Sequence, residues 1–377
     1  MHHVLALNSG SSSLKFGVYR VDAAATQRLF SETVSTADPQ DALNRVTSVL
    51  DTANLPPPNA IGHRIVHGGP ALRQHCRIDE TVLRQLQAAA AFAPLHTPAA
   101  LAVIRFAQAH IPDVPQVACF DTQFHVGLPD VARLLPIARE LQSQGIERYG
   151  FHGLSLESIV RQLGGEPSDP SLSQPPNQSS KQFPERLIIA HLGNGASITA
   201  VKAGRSIDTS MGLTPTGGVI MGTRSGDLDP GVLVYLMRDR NFDVSRIESL
   251  VNHRSGLLGV SGISSDMRRL HEAAASNPDA RLAIEMFCYS VRKQIAAMIA
   301  VLGGLDMLVF TGGIGENDAP VRAEICAGLG WIGISLDESR NRLASNPIND
   351  GASRCSVQVI ATLEDEQIAR HTWALIA

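Results

Sequence analysis

Residues 4–19 read V-L-A-L-N-S-G-S-S-S-L-K-F-G-V-Y, and residues 187–201 read L-I-I-A-H-L-G-N-G-A-S-I-T-A-V. In each, a short apolar run enters a turn rich in glycine with serine or asparagine, and a second apolar run returns. That is the pattern of a β-hairpin. Val4 to Leu7 and Leu14 to Tyr19 are the expected strands of the first, and Leu187 to Ala190 and Ile198 to Val201 those of the second. Setting Gly10 over Gly195 also sets Leu7 over Leu192 and Ser12 over Ser197. A strand–turn–strand unit that recurs about 185 residues later points to two duplicated half-domains facing one cleft.

Outward from the hairpins, strands and helices alternate, as in an α/β fold. Asp79 to Ala93 reads as a helix stopped by Pro94, and Thr97 as the cap of a second helix with Pro98 at its first position. Val117 to Asp121 reads as a strand. Asp229 caps a helix at Pro230, and Asn277 starts a long helix that runs to Gly303-Gly304. Asp306 to Thr311 is a buried strand entering a glycine turn, with a helix following near Pro320, and Glu364 to Ile376 is a closing helix. Between the halves, residues 165–185 hold five prolines and five serines with almost nothing apolar, which marks a flexible surface insert.

A chain of 377 residues exceeds one compact core, so two domains are expected. Its net charge of −4 excludes a broadly basic nucleic-acid binder. The longest apolar stretch, 295–305, is about half of a membrane span. The N-terminus carries no basic segment followed by a long apolar one, so a cytoplasmic location is expected. Five scattered cysteines with no C-x-x-C fit reduced thiols rather than zinc ligands or a disulfide framework.

Three segments suit phosphate. Gly10 lets backbone N–H groups approach an anion, Ser11, Ser12 and Ser13 add hydroxyls, and Lys15 adds a point charge, although a plain hairpin turn reads equally well. G-G-I-G-E-N, residues 312–317, follows a strand and suits close packing on a nucleotide. Arg224 lies between Gly222 and Gly226, and Arg64 beside His63, His67 and further glycines. Guanidinium forks match phosphate or carboxylate. Asp121, at a strand end, and Glu364 are the carboxylates a Mg²⁺ site would use. For Glu364 the helix dipole is an equally good reason to be there.

Taken together, L-N-S-G-S-S-S-L-K (7–15), G-H-R-I-V-H-G-G (62–69), A-P-L-H-T-P (93–98), F-D-T-Q-F-H (120–125), Y-G-F-H-G (149–153), the second hairpin, residues 212–230, S-G-L-L-G-V-S-G (255–262) and T-G-G-I-G-E-N (311–317) resemble the acetate kinase family. That family lies within the superfamily of acetate and sugar kinases, heat-shock chaperones and actin, and the segments occur in the family's order along nearly the whole chain. The resemblance implies two duplicated ribonuclease H-like, actin-like ATPase domains flanking a cleft. The first is expected over residues 1–123 plus 366–377, the second over 124–365. It implies reversible transfer of the ATP γ-phosphoryl group to acetate by in-line displacement, with acetyl phosphate and ADP as products. Mg²⁺, with Mn²⁺ as the alternative ion, and a homodimer go with it. A propionate or butyrate kinase, or an ATPase whose output is domain motion, are the rival readings.

Residue by residue, the resemblance implies that Asn8, Ser11, Ser13 and Lys15 hold phosphate and that Arg64 and Arg224 are the essential arginines. Asp121 becomes the catalytic aspartate, and Glu364, with Asn8, the magnesium site. His152 becomes the histidine on the transferring phosphoryl group, with His96 and His191 as further active-site histidines and Gly193, Asn194 and Gly195 facing phosphate. Asp266, Arg268, Gly313, Ile314, Gly315, Glu316 and Asn317 match the adenosine pocket, and Val66, Leu95, Phe151 and Pro215 the pocket for the acetate methyl group. The chain departs from the family's pattern at Thr97, Leu154, Leu156 and Leu363.

Overall fold

The computed structural model describes residues 2–10, 13–35, 39–94, 96–164 and 183–377. Ser11, Ser12, Leu95 and most of the expected insert, residues 165–182, lie outside the described residues.

Two sheets form the frame. The first has strands β1 (His2–Ser9), β2 (Ser13–Val21), β3 (Thr26–Ser35), β4 (Ala60–Ile65), β5 (Cys76–Arg77) and β6 (Gln116–Phe120), in the order β3-β2-β1-β4-β6-β5. The second has β7 (Arg186–Leu192), β8 (Ala196–Lys202), β9 (Arg205–Thr209), β10 (Met307–Thr311) and β11 (Ser356–Val359), in the order β11-β10-β7-β8-β9. Each sheet begins as a three-stranded antiparallel meander, and its first strand then pairs in parallel with a later one: β1 with β4, β7 with β10. The duplication expected from the two hairpins is therefore present in the strand order.

The register of the two hairpins differs from the expected alignment. The last pair of the first is Ser9 with Leu14, and that of the second is Leu192 with Ala196. Gly10 comes directly after the last pair of its hairpin while Gly195 is the last of the three residues between Leu192 and Ala196, so matching these glycines slides one hairpin against the other. The polar Asn8 and Ser9 extend β1 beyond its apolar run, because both pair across to β2.

The helix Gly153–Gln162 separates the two sheets and is buried from Gly153 through Val160. Leu154 packs with Val4, Ala6, Val117 and Cys119 of the first sheet, whereas Leu156, Ile159 and Val160 pack with Leu187, Ile189 and Val309 of the second. The closing helix Glu364–Ile376 returns to the first sheet, where Ile368 and Ala369 join the Leu154 cluster. The long helix Pro278–Leu302, capped by Asn277 as expected, buries Ala283, Phe287, Val291, Ile295 and Met298 in the second core. Leu282, Met286, Tyr289 and Val301 on it remain exposed.

Two expected helix boundaries change. His96, not Thr97, is the cap of Thr97–His110, because the N–H groups of residues 96 and 97 both close onto the Ala93 carbonyl at 3.0 Å and start the helix one residue early. The helix read over 79–93 stops at Ala88 and continues as a 3₁₀ turn to Phe92. The glycine turn at 312–317 is itself a short helix, since Glu316 Oε1 accepts the Gly312 N–H at 3.0 Å. All five cysteines are free thiols. No helix among the described residues is long and apolar enough to cross a membrane.

Candidate active site

One cluster forms where β1, β4 and β6 end and the closing helix begins. Asn8 leaves β1 buried and donates its amide to Glu364 Oε2 at 3.0 Å and Asp365 Oδ1 at 2.9 Å. Arg64, near the end of β4, gives Nη1 to Asn8 Oδ1 at 3.1 Å, and gives Nε and Nη2 to the single oxygen Asp121 Oδ2 at 2.9 and 2.7 Å. Asp121 follows β6, and its other oxygen, Oδ1, is buried without a hydrogen-bond partner among the described residues. Lys15 Nζ pairs with Asp365 Oδ2 at 3.0 Å. Burial pushes the Asp121 carboxyl up to about 6, with Arg64 pulling down and Glu364 and Glu157 adding to the rise. For Arg64 burial disfavours the charge, but Asp121 and Glu364 outweigh it and hold the guanidinium above its ordinary value.

A second cluster forms where β7 and β8 turn. His152 caps the 153–162 helix in the left-handed region, φ 62°, which a β-substituted residue seldom adopts and which gathers at functional sites. Gly153 behind it has its N–H on the Asp121 carbonyl at 2.8 Å, and a Cβ there would lie 2.3 Å from that oxygen. Only glycine permits this approach. The His152 ring stacks on His191, centroids 4.1 Å apart, and its Nδ1 meets Ser197 Oγ at 3.0 Å. His191 Nδ1 meets Ser155 Oγ at 2.8 Å. A Cβ on Gly195 would lie 3.3 Å from both His152 Nε2 and Arg224 Nη1, so the bare glycine leaves open the space these two groups border.

Arg224 is half-buried and donates to the Pro215 carbonyl at 3.0 Å. Among the described residues no carboxylate pairs with it. Burial and then Arg64 hold its pKa below the ordinary value. His152 lies well below its ordinary value through burial, with His191, Arg64 and Arg224 contributing, so the ring is neutral at pH 7. His96 is lowered to about 3 by burial and by Arg224 and Arg64. Val66 and Phe151 are buried in one cluster, and His67 contacts Tyr149 and Phe151 at ring-centroid distances of 4.4 and 5.5 Å. Guanidinium groups and neutral imidazoles are chemically suited to a small anion.

The family model described as the acetokinase family matches residues 26–370. The chain belongs to the acetokinase family. It is 40% identical to an acetate kinase of Brachyspira hyodysenteriae over 99% of both chains, and 38% identical to a propionate kinase of Citrobacter rodentium over 98% of this chain and 96% of the other. Among solved structures, a propionate kinase from Francisella tularensis superposes with a TM-score of 0.87 at 37% identity, each chain fully covered. The acetate kinase of Porphyromonas gingivalis superposes with a TM-score of 0.83 at 32% identity, again over the full length of both chains.

The structure brings Asn8, Lys15, Arg64, Asp121 and Glu364 into one cluster and His152, His191, Gly195 and Arg224 into the other. Gly193 lies 3.8 Å, measured from an added Cβ, from the Gly313 nitrogen, which joins the second hairpin turn to the 313–317 segment. Within that segment the Glu316 carboxylate accepts the backbone N–H of Gly312 and of Thr362, so it buckles the turn. Asn317 donates to the Gly313 carbonyl. Asp266 caps a short helix and pairs with the exposed Arg268 at 2.7 Å, and His271 of that helix reaches Asp318 at 2.9 Å, beside the same segment. Asp365, Ser155 and Ser197 were not singled out. Asp365 is masked in the sequence by its neighbours Glu364 and Glu366, since any acidic residue suits a helix start.

Proposed function

We propose that this chain is an acetate kinase, transferring the ATP γ-phosphoryl group reversibly to acetate. The observation that carries the reading is Arg224: a half-buried guanidinium, without a carboxylate partner among the described residues, pointing at the space bordered by His152 and Gly195. Acetate is already an anion at pH 7, because a carboxyl group titrates near ~4. No base is needed to create the nucleophile. The barrier is the approach of one anion to another, and fixed cations and donors lower it. Arg224 and Arg64 supply two forks. His152, neutral and held at Nδ1 by Ser197, offers Nε2–H as a donor without adding charge. Asp121 is the anchor of Arg64 rather than a base, since one of its oxygens takes both guanidinium bonds.

The residues fit a hard cation. Asp121 Oδ1 is buried and unpartnered, and the carboxylates of Glu364 and Asp365 crowd the Asn8 amide. Glu364 and Asn8 are proposed to hold Mg²⁺, with Mn²⁺ as the alternative ion. Bound there, the ion would neutralise charge on the ATP phosphates. Ser13 and Lys15, with Gly193 to Gly195, are assigned to the phosphate chain. Asp266, Arg268 and Gly313 to Asn317 are assigned to adenosine, and Val66, Phe151 and Pro215 to the acetate methyl group. His96 and His191 are assigned to the same site. We further propose domains of 1–123 with 366–377 and 124–365, a cytoplasmic enzyme, and a homodimer joined through the second domain. The exposed Leu282, Met286 and Tyr289 of the long helix, with Val234 and Met237 of Pro230–Arg240, support that interface.

Hydroxamate trapping of acyl phosphate tests the reading, with ATP, Mg²⁺ and either acetate, propionate, butyrate or glycerol. Acetate should give the highest kcat/KM, with propionate next, because one methylene is worth only ~1–3 kcal/mol in an apolar pocket. ATP turnover that is independent of any carboxylate would overturn it.

A further inference from the structure

One titratable cluster outside the phosphate-facing residues is left without a role. Glu157 of the 153–162 helix, His371 of the closing helix and His75, just before β5, bring a carboxylate oxygen and two ring nitrogens within 4.8 Å of one another. Glu157 and His75 are buried, at 3% and 9% exposure. His371 Nε2 lies 2.5 Å from Glu157 Oε2, and Gln367 Nε2 lies 3.3 Å from the same oxygen. The His75 and His371 rings are 4.0 Å apart, and His75 Nε2 is buried without a hydrogen-bond partner among the described residues.

Two histidines and a glutamate are a possible donor set for a transition metal. The tautomer argues otherwise. The Phe120 backbone N–H donates to His75 Nδ1 at 2.9 Å, so in the neutral ring the proton sits on Nε2. A metal on Nε2 would move that proton to Nδ1, against the Phe120 N–H, and strand a buried amide of β6. A metal on Nδ1 would displace the Phe120 N–H directly. His75 Nε2–H needs an acceptor, and Glu157 is the carboxylate of the cluster.

The place of that carboxylate matters. The 153–162 helix starts at His152, and Glu157 lies about one turn farther in. The closing helix starts at Glu364, with Gln367 and His371 about one and two turns in. The Leu363 N–H on Ser158 Oγ at 3.1 Å joins the same two helices a second time. We propose that Glu157 is a positioning residue for the phosphoryl transfer. Gripped by His371 and Gln367, it locks the two helix starts together, so that His152 and Glu364 address one phosphate chain. This rests on the acetate kinase reading given above.

Steady-state kinetics of the full-length enzyme test it. Glu157→Ala should lower kcat by about 10–100-fold, with KM for ATP and for acetate within about threefold, because misplacement on the order of 1 Å costs up to about 10² in rate. Glu157→Gln, which keeps the shape and one acceptor, should recover most of that loss. Should Glu157→Ala not fold, His371→Leu and Gln367→Leu carry the same expectation of reduced kcat at constant KM. Unchanged kcat in the folded variants, or a loss only in KM, would overturn the proposal. So would one equivalent of Zn²⁺ bound tightly by the wild-type enzyme and lost in His75→Ala, because the cluster would then be a metal site. A wild-type enzyme that makes no acyl phosphate would refute the kinase reading instead. Amide exchange over residues 153–157 would still read the clamp, with faster exchange expected in Glu157→Ala and equal exchange counting against it.

Discussion

The two hairpins share strand order and connection, yet their turns meet opposite surroundings. The end of the first is lined by carboxylates: Asn8 is held by Glu364 and Asp365, and Lys15 is paired with Asp365. The turn of the second faces cations and imidazoles, with Arg224 and His152 beside Gly195. A duplicated scaffold thus supplies two backbone turns at one cleft, and the side chains brought in from elsewhere decide which anion or cation each turn serves. Under the reading proposed above, the first turn would serve a cation shared with phosphate oxygens and the second the negative charge that passes between ATP and acetate.

The largest effect should come from removing the charge on the second side. Arg224→Ala is expected to lower kcat by about 10³–10⁵, the range for arginines that stabilise phosphoryl transfer. Arg224→Lys should lose less, since charge remains and only the fork is lost. Turnover measured alongside circular dichroism checks this, and a folded Arg224→Ala enzyme with near-normal kcat would refute the role.

Next in size is a direct comparison of the turns. Gly195→Ala puts a methyl group 3.3 Å from both Arg224 Nη1 and His152 Nε2 and is expected to cost about 10–100-fold in kcat. The same change at Gly10 meets, among the described residues, Ser13 at 3.3 Å from its carbonyl oxygen, and should cost several-fold less. Equal losses would mean that both turns contact the reacting groups.

On the first side, Glu364→Ala should raise the Mg²⁺ concentration needed for half-maximal rate by roughly tenfold, because a hard-cation site loses an anionic oxygen. An unchanged Mg²⁺ titration would leave only the helix-dipole explanation for this residue.

The smallest effect is expected from pH. Burial pushes Asp121 up to about 6, so activity should fall as pH drops through that value and the anchor of Arg64 is protonated. The stability contribution runs the other way. A carboxyl raised above its unfolded value contributes most below about 4 and loses that contribution as pH rises through about 6. Between pH 5 and 7, kcat should therefore rise while the share of stability due to Asp121 declines. Asp121→Asn should flatten both trends.

Much of this was legible in the sequence. Glycines flanking Arg224 and the recurring hairpin gave away two of the cleft's elements, since close backbone approach leaves few other residues possible. The acidic start of the closing helix was only half legible. Glu364 could be singled out, but Asp365, which holds both Asn8 and Lys15, was hidden because a helix dipole favours any acid in that turn. At Thr97 the local preference for a threonine cap lost to a turn closed on the Ala93 carbonyl.

By itself, the sequence determined the two-hairpin α/β duplication, the glycine-lined arginines and the family, because these rest on runs of neighbouring residues whose chemistry is local. The tertiary structure alone decided which charges meet. Asp121 binds Arg64 across 57 positions, Asn8 meets Glu364 across 356, and Glu157 meets His371 across 214. Pairs at such separations leave no periodicity or spacing to read. They exist only once β1, β4 and β6 end where two helices begin, and it is burial there that raises Asp121, keeps His152 neutral and holds Arg224 below its ordinary value.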